Sequence, residues 1–284
     1  MVDKNSLSNC RLAFIGCGVM AEAMIAGLLR QKIVGPEQIA GSHPRQARRE
    51  EMHVKYGVEM FEQNREAVTE THPAGPDDSS VVVLAIKPQR LHRVLEELKG
   101  SLVKEQLIIS IVAGAKIATI AEELLHASVV RTMPNTPAQI GAGITAWTAS
   151  PEVNEKQEGQ VCAIFDALGK TIHVENERQI DMATALSATG PTYIFMVMEA
   201  LIDAGVHLGF SRHVAEELVH QTLLGSVLFA RESHKHPAEL RNMVTSPGGT
   251  SAEAIYQMEK GSLRTIMSKA VWAAFQRAES LGKN

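Results

Sequence analysis

Two short stretches of this chain carry residue types whose spacing can do chemistry. The first is Gly16-Cys17-Gly18-Val19-Met20-Ala21, a G-x-G-x-x-A pattern that follows the apolar run 12–15 and opens a helical run. In that context the first glycine makes a tight turn and the second lets the backbone approach a pyrophosphate. The alanine lets the helix pack closely on the strand, and the helix N-terminus offers N–H donors to an anion. The same residues also suit an ordinary glycine turn between strand and helix. Position at the first strand of an alternating α/β chain favours the nucleotide reading.

The second stretch is Val244-Thr245-Ser246-Pro247-Gly248-Gly249-Thr250-Ser251-Ala252-Glu253. A glycine turn that opens a helix presents free backbone N–H groups suited to a carboxylate, and the hydroxyls of Ser246, Thr250 and Ser251 can donate to a substrate nitrogen. The bland reading uses the same residues: Thr250 and Glu253 have the spacing of a capping box. Eleven histidines raise the question of a metal, but His213, Glu216, His220, His234 and His236 match no zinc spacing, so no metal is expected.

Which dinucleotide would bind is decided after the second strand. A site for an unphosphorylated ribose usually carries a carboxylate there. This chain reads Ala40-Gly41-Ser42-His43-Pro44-Arg45 and adds Arg48 and Arg49. Small polar groups with guanidinium forks suit a 2′-phosphate, so NADPH is expected ahead of NADH, with NADH use still open; Arg48 and Arg49 equally suit the solvated face of a helix. Further strand ends follow at Ala85-Ile86-Lys87-Pro88, Val112-Ala113-Gly114 and Met133-Pro134-Asn135-Thr136-Pro137. Lys87 there is either a charge beside the cofactor or a residue before a helix. Asn135 either aims its amide at a nicotinamide or sits in a rigid turn.

The elements that must hold these groups are readable from periodicity. Short apolar runs at 12–15, 38–42, 58–61, 81–86, 107–112, 129–133, 143–148 and 171–174 alternate with amphipathic segments such as 88–99. Runs apolar on both faces belong to a parallel sheet covered by helices on each side. After about residue 175 only helical patterns remain, at 177–186, 192–208, 212–233, 237–243 and 251–284, the last with a break expected at Gly261. The expected fold is a Rossmann-like doubly wound domain over 1–175 followed by an all-helical domain over 176–284. The segment 192–208 is apolar on nearly every face, as for a helix buried against a partner subunit.

Composition limits the rest. Twenty-eight basic against thirty-two acidic residues leave a net charge of -4, which argues against a nucleic-acid or anionic-membrane partner. Unbroken apolar runs such as 81–86 fall far short of a membrane span, and the N-terminal residues lack a secretion-signal pattern. Three unpaired-looking cysteines give no disulfide or zinc framework. A cytoplasmic protein is expected.

Gly16–Ala21, Ala85–Pro88, Met133–Pro137, the run Ser187-Ala188-Thr189-Gly190-Pro191-Thr192-Tyr193 and residues 244–251 together resemble the pyrroline-5-carboxylate reductases, over essentially the whole chain. The resemblance implies reduction of the C=N bond of 1-pyrroline-5-carboxylate to L-proline by NAD(P)H, the last step of proline biosynthesis. It places the dinucleotide loop on Ile15, Gly16, Cys17, Gly18, Val19 and Met20, and the 2′-phosphate contacts on Ser42, His43 and Arg45. It places an adenosine-side asparagine on Asn64 and strand-end contacts on Ala85, Ile86, Lys87, Pro88, Ile111, Val112 and Ala113. Ser246, Gly248, Gly249, Thr250 and Ser251 fall on the substrate loop, with the second hydroxyl, Ser251, facing the ring nitrogen and Thr250 the next candidate. That position is usually threonine in the family, and Val112 stands where alanine is common. The family also implies a homodimer of intertwined helices, often built into a ring of dimers. The alternatives are another Rossmann-type reductase, acting on a hydroxy acid or imine, and a non-catalytic NADP-binding sensor.

Overall fold

The computed structural model describes residues 4–75 and 77–282. Eight strands form one sheet: β1 Cys10–Ile15, β2 Ile39–Ser42, β3 Glu59–Phe61, β4 Ser79–Leu84, β5 Leu107–Ser110, β6 Val129–Met133, β7 Gly143–Ala149 and β8 Gly169–His173. Their spatial order is β3-β2-β1-β4-β5-β6-β7-β8. Every neighbouring pair is parallel except β6 with β7, which is antiparallel. Each of the eight expected strands is present, with ends displaced by no more than two residues. Ala85, Ile86, Ile111 and Val112, expected in strands, lie beyond the last ladder pair, in the strand-end loops.

Helices α1 Val19–Arg30, α2 Gln46–Tyr56, α3 Asn64–Glu70, α4 Leu91–Leu98, α5 Ile117–Leu124 and α6 Glu155–Asp166 cover the sheet. Alternate residues of one strand enter different cores. Leu12 and Phe14 pack with α1 and α6 through Met24, Ile25 and Phe165, while Ala13 and Ile15 pack with α4 and α5 through Leu95, Leu98 and Ile120. That two-sided burial is why the runs 12–15, 81–84 and 107–109 are apolar throughout. In α4 the stripe Leu91, Val94, Leu95 and Leu98 is buried as its spacing predicts, each side chain contributing about 1.5–3 kcal/mol by burial. Pro88 begins a short 3-10 turn, Pro88–Arg90, ahead of that helix.

Beyond the strands come α7 Glu177–Ala183, a π-turn Thr184–Ala188, α8 Gly190–His207, α9 Arg212–Ser233, α10 Pro237–Met243, α11 Thr250–Lys260 and α12 Leu263–Leu281. The expected helix over 251–284 is thus two helices, divided at Gly261-Ser262, where Ser262 takes the left-handed φ of 58°. The chain forms two compact units. One runs to Thr189 and takes in the chain from Ala274 onward; the other is Gly190–Ala273. The strand signal stops near residue 175, but compactness breaks later. The reason is α7, which packs on the sheet through the fully buried Ile180 and through ion pairs to Arg131 of β6.

Candidate functional site

The first unit gathers the expected nucleotide-binding groups at one edge of the sheet. In parallel strands the carboxyl ends of β1, β2, β4, β5 and β6 share an edge, so the segments that follow Ile15, Ser42, Leu84, Ser110 and Met133 come together there. Gly16 has φ +90°, and a Cβ on it would stand 2.7 Å from Ile86 Cγ2 and 2.9 Å from the Ala85 carbonyl oxygen. Only glycine fits that turn. The N–H groups of Gly16 and Cys17 both donate to the Ser42 carbonyl, at 3.2 and 3.0 Å, which ties the loop to β2. Gly18 opens α1 with no side-chain cap, and a Cβ built on it meets nothing within 4 Å. The next N–H groups, on Val19, Met20 and Ala21, have no acceptor among the described residues; that of Glu22 bonds to Gly18. Free N–H donors at the positive end of a helix dipole are what an anionic pyrophosphate requires. Cys17 contributes backbone alone, because its thiol is fully buried and burial pushes its pKa up to about 12. Ile15 is likewise fully buried in β1.

Around the end of β2 the expected 2′-phosphate contacts divide into exposed and enclosed groups. Ser42 has no exposed surface: its hydroxyl donates to Asn64 Oδ1 at 2.7 Å and lies 3.4 Å from the Gly16 N–H. Its side chain therefore positions the loop and Asn64. Asn64 also donates from Nδ2 to Glu97 at 2.9 Å. Arg48, read from sequence as a phosphate fork, is engaged elsewhere. Its Nε donates to the Cys17 carbonyl at 3.0 Å, and its other nitrogens pair with Glu22 and Glu51. Arg49 donates to the His43 and Pro44 carbonyls and pairs with Glu62. Of these three arginines, Arg45 alone has a guanidinium without a partner among the described residues, and it is exposed. His43 is half-buried and its Nδ1 accepts the Arg45 N–H at 3.2 Å. Burial and then the Arg45 charge lower its pKa, which keeps it neutral at pH 7.

Arg48 belongs to a cluster centred on Glu22 in the first turn of α1. Burial raises the Glu22 pKa, but hydrogen bonds from Lys55, Arg48 and Tyr56 outweigh it and bring the carboxyl down to about 2. Lys55 and Tyr56 reach the same oxygen at 2.8 and 2.9 Å. Glu22 and Arg48 thus brace the dinucleotide loop from beneath.

At the next strand ends, Ala85 donates its N–H to Ile15 at 2.9 Å and Lys87 is exposed with no side-chain partner among the described residues. Ile86, Pro88, Ile111 and Ala113 are half-buried, and Val112 is buried. Asn135 is half-buried: its Oδ1 accepts the Ile144 N–H at 3.0 Å and its Nδ2 faces Ser187 Oγ at 3.4 Å. Sequence reasoning missed Arg131. It is fully buried in β6, pairs with Glu177 and Asp181 of α7, and leaves its buried Nε without a partner. The signal was available, since an arginine inside an apolar strand demands acids, and Glu177 and Asp181 stand four apart on one helix face.

In the second unit the loop before α11 differs from the capping box that its sequence allows. Gly249 is the N-cap, so Thr250 and Ser251 are the first two helical residues and no side-chain cap forms. Gly248 has φ +70°, and a Cβ on Gly249 would lie 2.4 Å from Ser246 Oγ. The tight fold leaves the N–H groups of Gly248, Thr250 and Ser251 without acceptors among the described residues, and so too the hydroxyls of Ser246, Thr250 and Ser251. Ser251 is half-buried, whereas Thr250 and Ser246 are exposed. Such a set can hold a carboxylate and donate to a ring nitrogen, with no strong base in the loop.

Comparison with known proteins agrees with both halves. Residues 177–281 match the family described as pyrroline-5-carboxylate reductase dimerisation, and residues 11–114 match that described as NADP oxidoreductase, coenzyme F420-dependent. The pyrroline-5-carboxylate reductase of Synechocystis sp. is 40% identical over 273 residues, covering 96% of this chain and 98% of that protein. The Pseudomonas aeruginosa protein of the same name is 39% identical, covering 98% of each. A solved structure, Plasmodium falciparum pyrroline carboxylate reductase with NADP bound, superposes with a TM-score of 0.87 at 30% identity, covering 96% of this chain and 98% of that one.

Proposed function

Since the chain belongs to the pyrroline-5-carboxylate reductase family, we propose that it reduces the C=N bond of 1-pyrroline-5-carboxylate to L-proline with NADPH, the last step of proline biosynthesis. The observation that carries the reading is the turn before α11, whose unpartnered N–H groups and hydroxyls match a small carboxylate beside a ring nitrogen. When bound, NADPH supplies the hydride. The chain's residues bind and orient. The free N–H groups at the start of α1 hold the pyrophosphate, Arg45 and His43 take the 2′-phosphate, and Asn64 lies on the adenosine side. The segments 85–88 and 111–113 line the nicotinamide half with Asn135. Gly248, Thr250 and Ser251 receive the substrate carboxylate on their N–H groups. Ser251, more enclosed than Thr250, donates to the ring nitrogen as it gains its proton.

We assign the dinucleotide to residues 1–175 and substrate and dimerisation to 176–284, with the stretch up to Thr189 belonging to the same compact unit as the sheet. The helical half is proposed to form a homodimer, with dimers assembling further into a ring. Its support is the apolar surface one copy leaves open, including Phe195, Met196, Leu218, Val227, Phe229 and Trp272. The run Glu177–His207 is long and apolar enough to cross a membrane by length and composition. A partner copy is the better occupant of that surface, because Arg131 ties the first turns of this run to the sheet through Glu177 and Asp181. The protein is proposed to be cytoplasmic, in keeping with three free cysteines, two of them buried.

The test is spectrophotometric. The purified protein, given 1-pyrroline-5-carboxylate, should oxidise NADPH and form proline stoichiometrically, with NADH run in parallel. Cofactor binding without proline formation would refute the substrate assignment while sparing the dinucleotide one.

A further inference from the structure

We propose that Ser187 is a positioning residue for Asn135: it holds the asparagine amide so that its free N–H meets the carboxamide oxygen of the cofactor's nicotinamide. The inference rests on the dinucleotide reading of the first unit. In a doubly wound sheet of this order, β1 to β3 underlie the adenosine half and β4 to β6 the other half. Asn135 lies two residues past the end of β6, hence at the nicotinamide side.

The geometry decides which way the amide points. The Ile144 N–H, 3.0 Å from Oδ1, fixes that end as the acceptor, so Nδ2 carries the two protons. One faces Ser187 Oγ at 3.4 Å, and the other has no acceptor among the described residues. An amide with its oxygen tied and one N–H free is suited to a carbonyl oxygen.

Ser187 reaches this place through an unusual piece of backbone. Between α7 and α8 the helical run widens into the π-turn Thr184–Ala188. Thr189 donates both its N–H and its hydroxyl to the Thr184 carbonyl, each at 2.9 Å, and the Thr184 hydroxyl donates to the Ile180 carbonyl at 2.8 Å. Single π-turns inside helices concentrate at functional sites. The turn is also anchored. Ile180 packs with Met133 and Ala146 under the strand ends, and Asp181 and Glu177 hold Arg131, two residues before Met133. Arg131 therefore fixes the register of the segment that presents Ser187.

The test compares two ligands on the full-length protein by calorimetry. NADP carries the nicotinamide and 2′-phospho-ADP-ribose lacks it. Ser187→Ala should weaken NADP by about three- to tenfold, the range for one neutral hydrogen bond, and leave 2′-phospho-ADP-ribose unchanged. Because Ser187 acts through Asn135, the S187A/N135A double variant should lose no more NADP affinity than N135A alone. Equal weakening of both ligands, or additive losses in the double variant, would overturn the proposal. If the unaltered protein bound neither ligand, the dinucleotide reading itself would fall, and that result is distinct from the other two.

Discussion

Replacing Arg45 and Arg48 one at a time separates a ligand contact from a brace. The Arg45 guanidinium is exposed with no hydrogen-bond or ion-pair partner among the described residues, so Arg45→Ala removes charge without breaking a side-chain bond. A guanidinium–phosphate hydrogen bond contributes about 1.5–3 kcal/mol, which corresponds to roughly 10- to 150-fold in Kd for NADPH. NADH, lacking the 2′-phosphate, should change by less than about twofold, since a lone exposed charge at a distance is screened. Arg48→Ala works differently. It deletes the 3.0 Å bond to the Cys17 carbonyl and takes one cation from Glu22, which Lys55 and Tyr56 still keep ionised. The loop loosens and a carboxylate loses its nearest countercharge, so both cofactors should weaken by a similar factor of about ten or more, the cost of one charge-assisted hydrogen bond. Titration of each variant with NADPH and NADH, followed by protein fluorescence, gives the four ratios needed. Loss of NADPH affinity alone in R48A would put that guanidinium on the phosphate and refute the assignment of a bracing role. Equal loss of both cofactors in R45A would remove the 2′-phosphate argument.

Three more outcomes are expected. Ser251→Ala should lower kcat by about tenfold or more, as for a lost donor to a developing charge, while the Kd for NADPH stays unchanged; unaltered kcat would reassign the hydroxyl, with T250A the next variant to assay. Gly249→Ala forces a Cβ to within 2.4 Å of Ser246 Oγ, so kcat/KM for the imine should drop far more than Tm, in steady-state and calorimetric measurements on the same preparation. Glu22 has a folded pKa of about 2 against an ordinary value of 4.5. Its stabilisation is therefore present above pH 4.5 and lost as pH falls toward 2. Glu22→Gln should flatten that part of the Tm-against-pH curve, and an unchanged acid limb would contradict the pairing.

The sequence by itself determined the elements and their chemistry. The central strands β1, β4 and β5 were legible because their alternate residues are buried on opposite faces and so are largely apolar, and α4 because its four apolar residues fall on one stripe. The Gly16 turn was legible because its backbone geometry excludes side chains. The hydroxyls of Ser246, Thr250 and Ser251 were legible because they flank a Pro-Gly-Gly turn directly before a helical run. Tertiary structure decided which polar groups are free. Arg45, Arg48 and Arg49 look alike in sequence, and only the placement of Cys17, Glu22 and Glu62 leaves one guanidinium available. The enclosure of Ser42 beside Asn64 and the meeting of Ser187 with Asn135 are of the same kind. The physical reason is range. Propensity, periodicity and backbone freedom act within a few residues and are written locally, whereas a hydrogen bond between side chains 22 or 52 positions apart depends on how the strands and helices between them pack.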